Sequence, residues 1–534
     1  MKRIVDNYLI FYSIFRGNMI LLNGKNLKLH DVKLIMNGEC IAVEGAAMEQ
    51  LDKSHKVLIS EAEKGAKIYG LTVGVGLNKD TEYIKLNGKF TEELIEKSTV
   101  FNKKLIRAHS VGIGKLVDSC LVRSVMGIHI NMLLNGYSGI QPRIISSYVE
   151  LLNKDIIPCI PSIGSIGEGD ITILSHIGLT MLGEGAVIYQ GKTMPSSKAL
   201  QLVGITPIEP WAKDSLSLLC SNAYSVAITA VALLKIAHYI NISELLYCLN
   251  LQALNGNLSP LNQRVLDACA YPEVIVMGAK LRNLLIGSSL ESHDDERHLQ
   301  DPLSYRCGVY RLAELRLSYE QAKKQLLIQV NGSNDNPCVL TKNVNNSLTG
   351  NYDHQAVLPS GNFETLPWVL AVEKLSLAIA HNALANVQQI VKLNDPYFTQ
   401  LTRFLGNKTA FHALGAIEKP AVALGMRIKN LAMPVSLDYF SVAGSVEDTA
   451  TNAQLVAEKL QNQLTYGYEL ISIVFLCVVQ AISLRKAKDS SYLLSPKTEG
   501  IYRAISEFIE LNGEDKSLSK EIRLINDYIF NCKI

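Results

Sequence analysis

The stretch from Glu447 to Lys488 contains no proline in about forty residues and is apolar over much of its length. As one helix it would extend roughly 60 Å, more than the diameter of a compact domain. Ser445-Val446-Glu447-Asp448 ahead of it has the S-x-x-D spacing of a capping pattern, and Gly467 is its one weak point. Asp214-Ser215 opens a second apolar run that continues through Leu254. Helices this long, apolar around most of their circumference, need partners on several sides. The pattern therefore predicts a long helical bundle completed by self-association. Gly308 to Val330 and Asn362 to Asn394, rich in Leu, Ala, Lys and Gln, supply two more of its helices.

The first two hundred residues differ. Glycines and short β-branched runs punctuate them, as in Ile68 to Gly76, Gly164 to Gly169 and Gly183-Glu184-Gly185. They read as loops on a helical head, with a small strand pair around Ala186 to Thr193. The expected organisation is an N-terminal extension (1–18), a head with active-site loops (19–210), a long-helix bundle (211–490) and a C-terminal helical segment (491–534). The extension carries Lys2 and Arg3 and then Tyr8-Leu9-Ile10-Phe11-Tyr12. Arg16 interrupts it and no small-residue cleavage site follows, so it does not read as a signal peptide. Leu470 to Leu484 is the most apolar internal stretch, but it includes Ser472, Gln480 and Ser483 and is shorter than a membrane span. It reads as a core helix of a soluble chain.

Lys+Arg 52 against Asp+Glu 50 leaves a net charge of +2 without a block of like charges. Such a surface does not suit a nucleic-acid or membrane partner. Small molecules and copies of the chain itself are the expected partners. The ten cysteines occur singly, with no C-x-x-C pair, and most lie among apolar residues, which points to reduced thiols in the cytoplasm.

Five segments carry residues suited to chemistry. Tyr69-Gly70 with Gly74 and Gly76 presents a phenol on a loop, although a hairpin with a packed aromatic has the same composition. Arg107 to Gly114 holds a single histidine, His109, at a helix–loop junction. Ile160 to Asp170 has three glycines in six residues, but it lacks the Gly-Lys-Ser/Thr of a nucleotide loop. Its plainest reading is a tight turn capped by Asp170 at the start of a helix through His176. Gln300 to Cys307 offers Arg306 for bidentate carboxylate binding. Asn331 to Pro337 is dense in amides and carboxylates. His293-Asp294-Asp295-Glu296 with His298 reads as a solvated loop, and no metal site is expected.

Taken in order, these segments resemble the histidine and aromatic amino acid ammonia-lyase family over roughly residues 20 to 490. Tyr69-Gly70-Leu71-Thr72-Val73-Gly74-Val75-Gly76 matches that family's Y-G-x-[NT]-T-G-F-G. His109 with Gly112 and Gly114 matches S-H-x-x-G-x-G, and Gly136 to Ile140 matches G-x-S-G-[IV]. Gln300-Asp301-Pro302 with Arg306-Cys307 matches Q-D-P-Y-S-x-R-C. Asn331 with Asn334 to Pro337 matches N-S-x-N-D-N-P, Ser360 to Phe363 matches S-G-N-F, and Glu447-Asp448 matches E-D. The resemblance implies a mainly α, ammonia-lyase (fumarase/aspartase-like) fold with a long central bundle and a loop-rich head. It also implies a homotetramer with shared active sites. Tyr69 would be the catalytic base and Arg306 the anchor for the substrate carboxylate. His109 and Glu447 would contact a polar, histidine-like side chain, with Asn331 and Phe363 also in the binding site.

The departures bear on mechanism. The family's G-S-x-G-A-S-G-D builds an electrophile, a methylidene-imidazolone, from Ala-Ser-Gly. Here the run is Gly164-Ser165-Ile166-Gly167-Glu168-Gly169-Asp170, one residue shorter, with Glu168 where Ala-Ser should be. Ser165 is followed by Ile166, and a β-branched residue is a poor cyclising nitrogen. L-N-G-T becomes Leu219-Cys220-Ser221-Asn222, which moves the amide by two positions, and the Tyr of Q-D-P-Y is Leu303. The imidazolone is therefore expected to be absent, with Glu168 as a new acid or base and Asn222 as the displaced catalytic amide. The expected function is C–N elimination from an amino acid, or a related elimination or cyclisation of an already activated substrate. The alternative is an inactive amino-acid-binding or regulatory homologue.

Overall fold

The computed structural model describes residues 19–86, 88–341, 356–407, 409–410, 412–509 and 515–532, so the extension 1–18 lies outside the described residues. Two compact units divide the chain: residues 1–231, 324–369 and 435–457, and residues 232–323, 370–434 and 458–534. The units are discontinuous, unlike the contiguous head and bundle expected from composition. The division falls inside four long helices, Ala223–Leu254, Gly308–Val330, Leu366–Leu393 and Ala453–Lys488. Composition changes along the chain, whereas packing groups segments that are distant in it.

In the first unit, the helix Ser119–Leu133 is buried from Val122 onward and packs on Leu29–Met36 and Pro142–Asn153. Short sheets surround it. Ile20–Leu22 pairs parallel with Ile41–Val43, Ile113–Leu116 pairs antiparallel with Pro161–Ile163, and Ile157–Pro158 joins the hairpin Ala186–Tyr189 and Lys192–Pro195. The helix Glu92–His109 begins where the Thr91 side chain accepts the Leu94 N–H. Glu92 and Glu93 lie in its first turn and Arg107 and His109 in its last, matching the helix dipole at both ends.

In the second unit, Tyr247, Leu251, Met277, Leu281, Tyr305 and Leu312 belong to one apolar cluster. Glu244 is buried there between Arg316 and Lys280. Gly467 is not a weak point. A Cβ at that position would lie 3.2 Å from the Tyr239 ring, so the glycine permits close helix packing.

Three expected helix boundaries move, each for a local reason. The last long helix begins at Ala453, not Glu447. Ala443, Gly444 and the expected cap Ser445 all have positive φ (49°, 64° and 68°), and Asn452 at φ 50° is a left-handed residue that a right-handed helix from Glu447 could not include. The 445–448 cap is therefore unused, and the Glu447 carbonyl instead accepts the Val442 N–H at 2.9 Å. The run from Asp214 breaks at Cys220-Ser221-Asn222 into Asp214–Leu219 and Ala223–Leu254. The helix expected from Asn362 starts at Leu366, because Glu364 Oε1 accepts the Thr365 and Leu366 N–H groups, both at 2.8 Å. Gly308–Val330 forms over the expected range. Among the described residues, the interrupted helical stretch Asp214–Leu254 and the helix Ala453–Lys488 are long and apolar enough to cross a membrane, yet their most apolar windows are 100% and 83% buried inside the protein. They are core helices.

Candidate active site

The loop from Gly164 to Asp170 joins the strand Pro161–Ile163 to the helix Ile171–Met181. Gly167 adopts φ +101°, and a Cβ there would sit 2.4 Å from Thr451 Oγ1, so glycine is required on two counts. Asp170 stands at the N-cap position, but its side chain makes no capping bond. It is fully buried and accepts the Ser225 N–H at 2.9 Å and the Ser225 hydroxyl at 2.7 Å. Its own N–H donates to Ser221 O at 2.6 Å. The expected cap is thus a clamp between this loop and the break at 220–222. Burial raises the Asp170 pKa, and its bonds to Ser165 and Ser225 oppose the rise.

Four helix N-termini converge on this loop. The helix starting at Ile171 follows it directly. Asn222, just before Ala223, accepts the Gly169 N–H at 3.1 Å and donates to Phe363 O. Thr365, just before Leu366, donates to Gly167 O at 3.4 Å, and the Asn452 N–H, just before Ala453, donates to Ile166 O at 2.7 Å. Each N-terminus carries roughly half a positive charge, and all four meet the loop that carries Glu168.

Glu168 is half-buried, and one of its oxygens, Oε1, is buried without a hydrogen-bond partner. Burial, then the charges of Glu364 and Glu447, push its pKa up to about 7. Desolvation and two like charges both favour the protonated form. Burial also raises Glu447, against the opposing charge of His109. Tyr69 accepts the Gly76 N–H at its phenol oxygen, 2.8 Å away. Burial raises the Tyr69 pKa, the Gly76 bond opposes that, and the charges of Cys220 and Glu447 add to it. His109, in the last turn of its helix, has Nδ1 at 2.9 Å from Leu105 O. A carbonyl can only accept, so Nδ1 carries the proton and Nε2 remains open. Tyr69, His109, Glu168 and Glu447 are thus brought into one electrostatic cluster, together with Glu364.

Other expected residues take different parts. Asn222 uses its amide to tie Gly169 to Phe363, and Phe363 joins this network through its carbonyl. Asn331, expected at the substrate, is committed elsewhere. Its Oδ1 accepts from Leu27 N and Asn131 Nδ2, and its Nδ2 donates to Leu27 O and Leu327 O. It pins the end of Gly308–Val330 to the N-terminal segment. Arg306 belongs to the second unit, where Nη1 donates to Gln300 Oε1 at 2.6 Å. Leu303, three residues earlier, is 61% exposed. Sequence reasoning missed Glu364, which directly follows the S-G-N-F match, and Gln454, two residues past the helix boundary. A carboxylate two residues before an apolar helix start was the available clue to Glu364.

A methylidene-imidazolone needs a serine flanked by a cyclising backbone, and the turn between Ile166 and Asp170 has Gly167-Glu168-Gly169 instead. Ser165 Oγ is engaged with Gly167 N (3.2 Å) and Gly169 O (3.5 Å). The residues present do not fit that group.

The aromatic amino acid lyase family profile matches residues 27–507. A histidine ammonia-lyase of Geobacillus sp. (strain WCH70) is 28% identical over 511 residues, covering 94% of this chain and 95% of that protein. The crystal structure of the ergothioneine-degrading enzyme ergothionase from Treponema denticola, in complex with desmethyl-ergothioneine sulfonic acid, is 33% identical. It covers 96% of this chain and 98% of that one, with a TM-score of 0.86. The phenylalanine aminomutase of Pantoea agglomerans shares the fold at 22% identity and a TM-score of 0.85, over 96% of this chain and 99% of that one. The chain belongs to the aromatic amino acid lyase family, carbon–nitrogen lyases that act on amino acids.

Proposed function

We propose that this enzyme eliminates trimethylamine from a histidine-derived trimethylbetaine, with ergothioneine as the first candidate, and does so without an imidazolone. The observation that carries the reading is Glu168, a carboxylate with a pKa near 7 where the family's electrophile would stand, grouped with Glu364 and Glu447. An electrophile acts on a nitrogen lone pair, and a quaternary ammonium has none. That leaving group is already activated and departs as a neutral amine. A negative field favours the bound cation. The likeness to ergothionase, at 33% identity over nearly the whole of both chains, supports the same substrate class.

In the proposed reaction Tyr69 takes the proton from the β-carbon. The C–H electron pair becomes the new C=C bond, and the C–N pair leaves with trimethylamine. The Gly76 N–H, donated to the phenol oxygen, favours the phenolate. The substrate cation would lower the pKa of Tyr69 and of Glu168 together. Glu168 then holds or releases a proton at neutral pH as the site fills. Glu447 and His109 would recognise the ring, and Arg306 the carboxylate. Asn222 acts through Gly169 and Phe363 as a positioning residue. We further propose a cytoplasmic homotetramer with shared sites, in keeping with the ten unpaired cysteines.

The test is incubation of the purified enzyme with ergothioneine or with histidine. The reading requires trimethylamine and a conjugated acrylate from the first. Ammonia from histidine, with ergothioneine untouched, would establish an ordinary histidine ammonia-lyase instead, the reading favoured by the His109–Glu447 pair alone.

A further inference from the structure

Glu168 sits in a loop with glycines at 164, 167 and 169, and three glycines in six residues leave a backbone free to wander. With Glu168 in place of the family's Ala-Ser, the position of this turn is set by neighbouring groups. The first turn of the helix Ala453–Lys488 supplies them. Gln454 is 4% exposed. Its Oε1 accepts the Ser165 N–H at 2.9 Å, and its Nε2 donates to Ser162 O. One amide therefore holds the chain on both sides of Ile163-Gly164, where it enters the loop. The neighbouring Asn452 N–H adds the 2.7 Å bond to Ile166 O. Thr451 pairs its hydroxyl with that of Thr365, which in turn reaches Gly167 O. Asn452 itself has φ +50°, and its Nδ2 donates to Val435 O at 2.9 Å and to Asp438 O. A non-glycine residue holds that conformation where its surroundings impose it. Glu447 lies five residues before Asn452, so the segments carrying Glu447 and Glu168 are fastened to each other.

We propose that Gln454 is a positioning residue for Glu168, locking the 162–166 segment to the Glu447 segment so that both carboxylates keep one spacing when a substrate binds between the charges. The proposal rests on the elimination reading above for its kinetic consequence, but not for its structural one. The charged groups acting on Glu168 are Glu364, at the start of the Leu366–Leu393 helix, and Glu447, ahead of the Ala453–Lys488 helix; Asp170 is held by Ser225. Gln454 carries no charge, so its removal can change the Glu168 titration only by moving groups.

Two variants test this: Gln454→Met, which keeps volume and removes both bonds, and Gln454→Glu, which keeps the acceptor for Ser165 N–H. Three quantities are read: kcat and KM on ergothioneine normalised to folded protein, thermal unfolding, and the Glu168 carboxyl titration from infrared difference spectra against Glu168→Gln. In Gln454→Met we expect kcat to fall roughly 10- to 100-fold with KM within about threefold, as for a small misplacement of a reacting group. The Glu168 midpoint should shift by about half a pH unit or more. Gln454→Glu should recover part of kcat at pH 8.5. An unmoved midpoint in Gln454→Met, with kcat per folded enzyme unchanged, overturns the proposal. Loss of stability alone, with the midpoint fixed, does the same. If wild-type enzyme leaves ergothioneine untouched while the midpoint still moves in Gln454→Met, the substrate reading falls and the positioning role stands.

Discussion

Substituting Glu168→Gln separates a catalytic carboxylate from a structural one, because the two roles predict opposite effects. The Glu168 pKa rises from its ordinary 4.5 to about 7, so the folded protein binds this proton more tightly than the unfolded chain does. The associated stability is fully present below pH 4.5 and is lost as the pH rises through about 7. At 1.36 kcal/mol for each tenfold, the cost of ionising Glu168 at pH 8.5 is at most ~3 kcal/mol. The side chain is half-buried, and solvent screening brings the figure to about 1 kcal/mol. Glutamine carries no charge at any pH and removes that cost. The melting temperature of Glu168→Gln should therefore rise by about 1 °C at pH 8.5, given an unfolding entropy near 2 cal/mol/K per residue. It should stay unchanged at pH 4.5. Turnover should fall roughly 10²–10⁴-fold, since a proton-transfer group is lost while size and hydrogen bonding are kept, and affinity for the cationic substrate should weaken above pH 7, where the wild-type carboxylate is charged. The wild-type acid limb near pH 7 should vanish with it. The assays are calorimetry at two pH values and a pH–rate profile. Full activity in Glu168→Gln would refute the catalytic role, and destabilisation at pH 8.5 would refute the electrostatic account.

Binding of a trimethylbetaine near pH 7 should release a fraction of a proton as the cation ionises Glu168, visible as buffer-dependent enthalpy in titration calorimetry; proton uptake would contradict it. The intact mass should equal the encoded mass, and a deficit of two waters would mean an imidazolone forms despite Glu168. Arg306→Ala should weaken carboxylate ligands by roughly 2–5 kcal/mol without unfolding the protein, and unchanged affinity would place the carboxylate elsewhere. Sedimentation at micromolar concentration should give a tetramer, and a stable monomer would count against shared sites.

The chain's own pattern carried the helical architecture, the loop-rich head and the family resemblance, because apolar periodicity and motif residues are local properties. It also exposed the missing Ala-Ser-Gly, since covalent chemistry depends on which atoms are present and not on where they pack. Helix ends were less legible. Ser445 to Asp448 has the letters of a cap, yet Ser445 sits at positive φ and cannot serve as one, and Asn452, also at positive φ, holds the helix start to Ala453; backbone conformation of that kind is set by neighbours. Asp170 and Asn331 show the same limit, since each has a residue type suited to its expected role but is committed to partners 55 and 304 positions away, Ser225 and Leu27. What tertiary structure alone decided is the charge state of the site. Glu168, Glu364 and Glu447 are spread over nearly three hundred positions of chain, and the rise of Glu168 to about 7 exists because folding takes it out of water and sets the other two carboxylates against it.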